Sequence, residues 1–446
     1  MRACFLALAS LLAAANLSAQ NVALDSKVDQ ELPSLVTTYK TLHAAPELSH
    51  HEDKTATMLA HELRGFGYDV TEHVGKYPNP QWQGHGIVAV MKNGPGPTIL
   101  VRADMDALPV EEQTGLPYAS HVHTKNDAGV DVGVMHACGH DIHVTSLIGT
   151  AKLLAAMKDQ WHGTLVLIGQ PSEETIDGAR AMLADGLYSR IPKPDYALAL
   201  HDSSELETGK ISYTPGYALA SSTSVDVTIR GRGAHGSRPE VSKDPIVLAA
   251  EFILAIQTIV SRENSPFDPA VVTVGSIHGG TKYNIIPDDV HLQLTIRTYK
   301  EEVRQHILAS LDRIAKGVAL AGGVPEDRAP IVKASETEVT PAMYNDPALT
   351  EREVSALKRG LGVDSVVEKP PVMGSEDFGQ FGLEGHKIPT FMFMVGAIDT
   401  DRIATSQKTG VPLPSLHSSL FWPVPDTTIR TGVKAMTVAV LELMKK

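Results

Sequence analysis

The chain has 446 residues, enough for two or three domains, and its content of 43% hydrophobic and 20% charged residues is typical of a protein that buries a core rather than of a disordered or fibrous chain. Lys and Arg number 39 against 52 Asp and Glu, and this net charge of −13, without a long basic run, argues against nucleic acid as a partner. No membrane span is expected, because the apolar segment Cys4–Ala15 has only twelve residues and a spanning helix needs about 20.

The N-terminal segment has the pattern of a secretory signal peptide. Arg2 precedes the apolar run, and Leu17-Ser18-Ala19 follows it as a small-residue cleavage site, so residues 1–19 are predicted to be removed. The chain has two Cys, and removal of Cys4 leaves the single thiol of Cys138. A lone thiol in an oxidising compartment is expected to be occupied, for instance by a metal. We therefore expect a periplasmic or secreted protein that is released rather than anchored.

Helices and strands alternate in the first half of the chain, which is typical of an α/β domain with a mostly parallel sheet. Apolar residues at helical spacing predict a helix at Glu52–Phe66, and a second helix is predicted to open at His136–His140 and run to about Met157. Strands are predicted at Gly86–Met91, Thr98–Arg102, Thr164–Ile168, Tyr196–Leu200 and, much later, Phe391–Val395.

Between residues 221 and 339 the order changes to β-α-β-β-α-β, which predicts a ferredoxin-like module of the α+β class. Helices are predicted at Pro245–Arg262, with Asp244 as N-cap, and at Glu301–Leu320, which has one apolar face. Strands are predicted at Ser224–Arg230, Val271–Ile277, Val290–Thr298 and Pro330–Ser335. We interpret residues 221–339 as a domain inserted into an α/β domain made of residues 20–220 and 340–446.

Polar side chains follow the carboxyl ends of three predicted strands. Asp104 and Asp106 follow one strand, Glu173 and Glu174 follow another, and His201 ends a third. In open α/β sheets, ligands bind in the crevice at these ends. Alone, a Glu-Glu pair is commonly a pair of solvated loop acids and such a His is commonly structural, but their convergence indicates one site. Adjacent side chains point in different directions, so one carboxylate could bind a metal while its neighbour holds a water.

The segment His136–His143 contains three His, one Cys and one Asp at a helix start. A polar loop around a buried thiol is the alternative interpretation, but zinc-like ions prefer such nitrogen and sulfur ligands. The helix N-terminus and a nearby cation would both favour the Cys138 thiolate. His143 lies one turn beyond His140, and we expect it to pack or to hydrogen-bond a ligand rather than bind metal. Further histidines in polar surroundings are expected to be exposed: His43, His50, His51, His121 and His123.

Several segments of the chain resemble metallopeptidase family twenty. The resemblance is to its amidohydrolase branch, which includes hippurate hydrolase, N-acyl-L-amino acid amidohydrolases and the indole-acetyl-amino-acid hydrolases. The matching segments, in the family's order, are Leu42–Ser49, Val101–Pro109, His136–Asp141, Gln170–Glu174, Asn284–Pro287 and Ser375–Phe378. The resemblance implies a zinc-peptidase-like catalytic domain with an inserted lid and dimerisation domain, and a homodimer through that domain is the family's habit.

The resemblance also implies a site for two divalent metal ions, and nitrogen, oxygen and sulfur ligands would accept zinc, manganese, cobalt or nickel. The implied ligands are Cys138, His140, Glu174, His201 and His417. Glu173 is implied as the general base, Asp106 as a residue that orients a ligand, and His235 as a lid histidine that stabilises the oxyanion. Asn284 and Arg297 resemble lid residues that hold the substrate carboxylate, a task that suits the bidentate fork of Arg.

These roles predict hydrolysis of the amide bond of an N-acyl amino acid or small peptide. A dipeptidase or carboxypeptidase of the same family is an alternative that the sequence does not separate. A non-catalytic metal-binding protein is less expected, because it would have no use for a base at Glu173, and a purely structural role is less expected still. Two segments depart from the family pattern, Asp202–Glu205 and Gly236–Glu240. Both follow predicted site histidines, so they bear on substrate choice more than on catalysis.

Overall fold

A computed structural model describes residues 2–383 and 385–445, with side chains from residue 22 onward. Met1 and every side chain of the expected signal peptide, residues 1–19, lie outside the described part, so that peptide stays a prediction. Within the described residues the α-helices are α1 Arg2–His43, α2 Asp53–Gly65, α3 His140–Ala156, α4 Gly178–Ala184, α5 Leu187–Arg190, α6 Pro245–Thr258, α7 Glu301–Ala321, α8 Pro347–Leu361, α9 Thr400–Thr409 and α10 Pro425–Met444.

The strands, numbered in the same way, are short at the loops and longest in the two main sheets. They are β1 Asp69–Val74, β2 Gly86–Asn93, β3 Thr98–Asp104, β4 His123–Lys125, β5 Asp131–Gly133, β6 Gly163–Gln170, β7 Tyr196–Glu207, β8 Ile211–Tyr213, β9 Gly216–Leu219, β10 Ser222–Arg230, β11 Ala234–His235, β12 Ala270–Gly279, β13 Ile285–Ile286, β14 Asp289–Thr298, β15 Ile331–Thr340, β16 Met343–Asn345, β17 Val366–Glu368 and β18 Thr390–Ile398.

The chain divides into two compact units. The second unit consists of Tyr217–Tyr344 and Pro371–Gln380, and the first unit contains the rest of the described residues. From the sequence, residues 371–380 are expected in the α/β domain, whereas they pack within the second unit. This segment carries Ser375, one of the residues through which the chain resembles its family.

The first unit is built on an eight-stranded sheet of order β1-β2-β6-β3-β7-β18-β8-β17. Its central neighbours β6, β3, β7 and β18 run parallel, and β3 is buried along its whole length, as is usual for a strand covered on both faces. The helices α2, α3, α8 and α10 pack against strands of this sheet. The predicted α/β class with a mostly parallel central sheet is therefore confirmed.

The parallel direction of the central strands determines where the polar side chains meet. Parallel strands run in the same direction, so their carboxyl ends lie at the same edge of the sheet. The register pairs Asp104 at the end of β3 with Gln170 at the end of β6. From the sequence, His201 is expected to end its strand, but β7 continues to Glu207, and His201 pairs with Met394 on β18. The loops that follow β3 and β6 therefore start at one edge.

The second unit contains a four-stranded antiparallel sheet of order β12-β14-β10-β15. α6 lies between β10 and β12 in the chain and α7 between β14 and β15, which is the predicted β-α-β-β-α-β arrangement. Phe252 of α6 and Leu311 of α7 are fully buried in the core of this unit. Asp244 caps α6 by accepting a hydrogen bond of 2.9 Å from the amide of Ile246, and Pro245 occupies the first helical position.

One described helix is long and apolar enough, by length and composition alone, to cross a membrane. It is α6 together with the π-helical turn Ile259–Glu263 that follows it. Core helices of other proteins pass the same test, and the buried side chains of Phe252 and Ile256 pack α6 against the core of the second unit. The expectation from the sequence names only Cys4–Ala15 as apolar enough to consider, and this second segment corrects it.

The helix α1 is not predicted from the sequence, although its pattern is present. Leu24, Val28, Leu35, Tyr39 and Leu42 recur at helical spacing and are buried in the main core of the first unit. Each fully buried side chain of this kind stabilises the fold by roughly 1.5–3 kcal/mol. In the sequence, the apolar segment Cys4–Ala15 comes shortly before these residues and obscures the start of the amphipathic pattern.

Glu353 on α8 is a buried acid, and neither of its carboxylate oxygens makes a hydrogen bond. Burial, with the nearby charge of Glu442, raises the pKa of Glu353 from 4.5 to about 9, against the opposing effect of Arg352, Arg359 and Lys445. The folded protein therefore holds a proton that the unfolded chain releases above its ordinary pKa. Folding stability should fall as the pH rises from about 4.5 to about 9, and change no further from this group above that pH.

We expect Glu353→Met to remove this pH dependence, because Met fills the site without ionising. The free energy of unfolding of the natural chain should fall relative to that of the variant by up to about 1.4 kcal/mol per pH unit within the window. Urea denaturation between pH 5 and 9 measures the difference. Glu351→Met, at an exposed position of the same helix, is the control. Parallel pH curves for the natural chain and Glu353→Met would contradict the assignment.

Candidate active site

Six side chains singled out from the sequence come together in the first unit, where the strands of its sheet end. They are Cys138, His140, Glu173, Glu174, His201 and His417. The Sγ atom of Cys138 lies 3.6 Å from Nε2 of His201 and 3.3 Å from Nε2 of His417. Nε2 of His140 lies 3.8 Å from a carboxylate oxygen of Glu173 and 3.8 Å from one of Glu174. Glu174 also approaches His417, at 3.6 Å.

Local backbone geometry brings Cys138 and His140 to this place. Gly139 between them precedes α3 and has a φ of +74°, in the left-handed region that favours glycine. A Cβ atom on Gly139 would lie 2.4 Å from the Asp202 carboxylate, so no other residue fits without displacement. His417 reaches the group from a loop, with its amide donating to the carbonyl of Ala137 at 2.8 Å.

Hydrogen bonds orient the imidazole rings of His140 and His201. Nδ1 of His140 lies 3.2 Å from Asp106 Oδ1. Burial alone would raise the pKa of Asp106, but hydrogen bonds from His140, Ser49 and the Glu174 amide outweigh it and lower that pKa. The ionised carboxylate can only accept, so Nδ1 of His140 donates to it and Nε2 is directed toward Glu173 and Glu174. In the same way, Nδ1 of His201 donates to the backbone carbonyl of Asp202 at 2.7 Å, and its Nε2 lies 3.6 Å from Sγ of Cys138.

The donor atoms of the group fit a divalent metal ion. Nε2 of His140 and Oε1 of Glu174 are buried and make no hydrogen bond, although they lie only 3.8 Å apart. An unsatisfied buried polar atom destabilises a protein by about 1–3 kcal/mol, so two side by side need an explanation. Imidazole nitrogen, thiolate sulfur and carboxylate oxygen are the ligands of zinc-like ions. Ligation would satisfy both atoms at once.

The protein alone does not favour the ionised form of Cys138. Burial, reinforced by the Glu174 carboxylate, raises the pKa of the thiol well above its usual value. Burial also raises the pKa of Glu174 to about 7, although His140 opposes this. The expectation that the helix N-terminus favours the thiolate is therefore outweighed by burial. The other half of that expectation, a nearby cation, is what would lower the pKa of the thiol.

A buried network beneath the group was only partly expected from the sequence. Nδ1 of His143 lies 2.5 Å from Asp104, and its Nε2 accepts a hydrogen bond of 2.9 Å from the Asp202 amide. Arg102 donates to the second oxygen of Asp104 at 2.5 Å. His143 thus packs beside His140 and His201 and hydrogen-bonds Asp104 and Asp202, and its exclusion from metal binding stays a prediction. Asp202, where the chain departs from the family pattern, is fully buried in this network.

Two of the histidines expected to be exposed are buried. His43 lies between Asp141, at 2.7 Å, and Glu112, at 3.2 Å, and His50 stacks on Trp82 with 3.7 Å between ring centroids. Their partners come from distant parts of the chain, so polar neighbours in sequence were misleading for them. The remaining three are exposed as expected: His51, His121 and His123.

The other three residues expected in the site, His235, Asn284 and Arg297, belong to the second unit. His235 is exposed, and its Nδ1 accepts hydrogen bonds from the amide and hydroxyl of Ser237 at 3.1 and 2.7 Å. The Oδ1 atom of Asn284 is buried without a hydrogen bond. Arg297 donates to the hydroxyl of Ser375 at 2.5 Å. Two segments singled out from the sequence therefore meet within this unit.

Comparisons with known proteins agree on one family. The sequence model of peptidase family M20/M25/M40 matches residues 100–417. The chain is 34% identical over 409 residues to thermostable carboxypeptidase 2 of Saccharolobus solfataricus, covering 91% of this chain and 94% of that one. It is 37% identical over 342 residues to hippurate hydrolase of Campylobacter jejuni, covering 76% and 82%. The solved structure of the Bacillus subtilis YXEP protein, described as a dinuclear metal binding peptidase from the M20 family, aligns with a TM-score of 0.72 at 28% identity, covering 93% and 99%.

The resemblance derived from the sequence segments is thus confirmed. The matched range extends from within β3 to His417 and includes all six side chains that meet in the first unit. The relatives cover most of the chain and are covered in turn over most of their own length. The chain therefore belongs to peptidase family M20/M25/M40 and is a hydrolase of a family of metal-dependent amidohydrolases and peptidases.

Proposed function

We propose that the protein hydrolyses the amide bond of N-acyl amino acids of the hippurate type and releases the free amino acid. The observation that carries the proposal is the Glu173 carboxylate, 3.8 Å from a buried His140 nitrogen that makes no hydrogen bond. A carboxylate beside metal-ligand atoms is what a metal-assisted hydrolysis needs as its base. The residues proposed to hold two divalent ions are Cys138, His140, Glu174, His201 and His417.

The chemistry is divided among these residues. When bound, divalent ions would lower the pKa of water towards about 7 and polarise the amide carbonyl. Glu173, with 6% of its surface exposed, is shielded from bulk water and is proposed to take the proton of the attacking water and deliver it to the leaving amine. Asp106 accepts from Nδ1 of His140 and keeps its Nε2 directed toward the two glutamates.

Three residues of the second unit are proposed to contact the substrate. His235 would donate a hydrogen bond to the amide oxygen as it gains negative charge. Asn284 and Arg297 would bind the carboxylate of the released amino acid, since Arg offers two parallel donors to a carboxylate. The support for these roles is the sequence resemblance together with the position of Arg297 beside Ser375.

A carboxypeptidase or dipeptidase is the second candidate. It is favoured by the 34% identity to a relative named thermostable carboxypeptidase 2, which covers 91% of this chain. Both activities use the same hydrolytic groups and differ in what the acyl side accepts. A peptide substrate with a free amino group would need an acidic partner there, whereas an acetyl or benzoyl group would not.

We expect the purified protein, loaded with zinc, manganese, cobalt or nickel, to release amino acid from N-acetyl or N-benzoyl substrates faster than from dipeptides. A chelator should abolish the release. Glu173→Gln should lower kcat by about 10²–10⁴-fold while metal content, measured by elemental analysis, is kept. Glu111→Gln, at an exposed acid, is the control. Faster turnover of dipeptides would select the second candidate, and full activity of Glu173→Gln would exclude its role as base.

We further propose a homodimer through the second unit. α6 exposes Ile246, Val247 and Leu254, the last with 73% of its surface accessible. It contacts β12, which is an edge strand with an exposed Ile277. An unpaired edge beside an apolar helix face is a template for pairing with a second copy of the same chain.

Leu254→Glu should convert the dimer to a monomer, because it places a charge within the apolar face. Light scattering coupled to size-exclusion chromatography measures the mass. Leu320→Glu, on α7 with 79% of its surface exposed, changes an equally exposed leucine of the same unit outside this face and should leave the mass unchanged. A natural chain that is already monomeric would refute the proposal.

Finally, we propose export with cleavage after Ala19, to the periplasm or the outside. The described core contacts of α1 begin at Leu24, and Asp25 and Asp29 pair with Arg430 on α10. Cleavage after Ala19 would keep all of these contacts. Mass spectrometry of protein from the exported fraction should show Gln20 as the first residue. An intact N-terminus and retention inside the cell would contradict the proposal.

A further inference from the structure

The segment Ser49–Glu52, which precedes α2, contacts the loop that carries the two site glutamates. Glu52 occupies the N-cap position of α2, yet its side chain does not cap that helix. Glu47 does so instead, accepting the amide and hydroxyl of Thr55 at 2.8 and 2.9 Å. The fully buried Glu52 side chain is therefore directed elsewhere in the structure.

Glu52 accepts hydrogen bonds from Ser172, the residue immediately before Glu173. Its Oε1 atom accepts the Ser172 amide at 2.7 Å and the Ser172 hydroxyl at 3.2 Å. That hydroxyl in turn accepts from the His50 amide and from the hydroxyl of Tyr77, each at 2.9 Å. The one donor and both acceptor positions of the hydroxyl are thus in use.

Ser172 also needs such support, because its backbone is strained. Its φ is +56°, a left-handed conformation that is unfavourable for a residue with a side chain and persists where the surroundings over-determine it. The loop turns back tightly, with the Ser172 carbonyl accepting the Gly178 amide at 3.1 Å. A Cβ atom on Gly178 would lie 1.6 Å from the carbonyl oxygen of Pro171. The direction in which Glu173 leaves the backbone depends on this turn.

The same segment is also connected to Glu174, the residue after Glu173, through Asp106. Ser49 donates to Oδ2 of Asp106 at 2.7 Å, and the amide of Glu174 donates to the same oxygen at 2.9 Å. The other oxygen of Asp106 contacts His140. Backbone atoms on both sides of Glu173 are therefore anchored, one through Glu52 and one through the Ser49 and Asp106 pair.

We propose that Ser49 and Glu52 form a clamp that sets the position of Glu173, so that both are positioning residues for the proton transfer. The inference rests on the proposed role of Glu173 as base. The physical reason is that a base must lie within hydrogen-bond reach of the proton it takes, and displacement by about 1 Å can lower the rate about 100-fold. The clamp acts on the backbone at Ser172 and Glu174, not on the substrate.

The decisive comparison is between two acids that precede α2, Glu52 and Glu47. Glu52→Ala should lower kcat about 100-fold with KM changed less than about threefold, because it removes the acceptor of Ser172 without touching substrate. Glu52→Gln keeps an acceptor oxygen and should restore most of the activity. Glu47→Ala removes an acid that accepts backbone amides of α2 and should lower the melting temperature while leaving kcat unchanged.

Two further measurements separate positioning from general destabilisation. In a Glu173→Gln background, Glu52→Ala should lower the residual kcat less than about threefold, because its effect passes through Glu173. Hydrogen exchange of a peptide that spans residues 172–174 should accelerate in Glu52→Ala and not in Glu47→Ala.

The outcomes distinguish the clamp from the proposed function. Equal effects of Glu52→Ala with and without Glu173, or unchanged exchange at residues 172–174, would overturn the clamp. If the natural protein hydrolyses none of the acyl or peptide substrates, the proposed function fails, and the exchange experiment still decides whether Glu52 orders the loop.

Discussion

The structure of the site depends on one constraint: a ring nitrogen and a carboxylate oxygen stay buried side by side without a hydrogen bond between them. Nε2 of His140 and Oε1 of Glu174 are in this state. Such atoms are unfavourable in a protein interior unless an ion satisfies them. The fold also supplies hydrogen-bond partners for the other polar atoms of these two residues. Asp106 takes the proton-bearing nitrogen of His140 and also the Glu174 amide, so one carboxylate orients both.

The same constraint explains why the supporting residues come from several strands. Asp106 follows β3, Glu174 follows β6 and His201 lies on β7, and these strands are parallel neighbours in the sheet. Because parallel strands end at one edge, the short loops that follow them can bring both the metal ligands and the residues that hydrogen-bond those ligands to one place. The left-handed residues Gly139 and Ser172 turn the chain at the points where ligands begin. Glycine adopts this conformation without strain, whereas at Ser172 the strain is held by buried contacts rather than by the local sequence.

Much of this could be read from the sequence, for a physical reason. Strand periodicity and a polar residue that follows a strand are local signals, so the sequence assigns Asp106 and Glu173 to one edge. His201 is predicted to end its strand, whereas β7 continues to Glu207. The ferredoxin-like order of the inserted segment is equally local, and it is confirmed by the sheet order of the second unit.

What could not be read depends on contacts between distant residues. His50 and Glu52 lie in a polar segment, and nothing near them in sequence shows that Ser172 and Trp82 bury them. The burial of His43 has the same cause, because Asp141 and Glu112 come from far along the chain. The relation between adjacent Glu173 and Glu174 was open as well. In the structure, Glu174 approaches both His140 and His417, whereas Glu173 approaches His140, which supports assigning ligation to Glu174.

Cys138 connects the metal site to the proposal of export. It is the one thiol that would remain after cleavage at Ala19, and an oxidising compartment attacks thiolates rather than thiols. Burial and Glu174 raise the pKa of Cys138, so without a metal the group stays protonated at neutral pH and reacts slowly. A bound ion would draw the proton off but occupy the sulfur at the same time. The sulfur is therefore a protonated thiol without metal and a metal-bound thiolate with it. A cysteine ligand is thus compatible with a compartment in which an exposed thiolate would be oxidised.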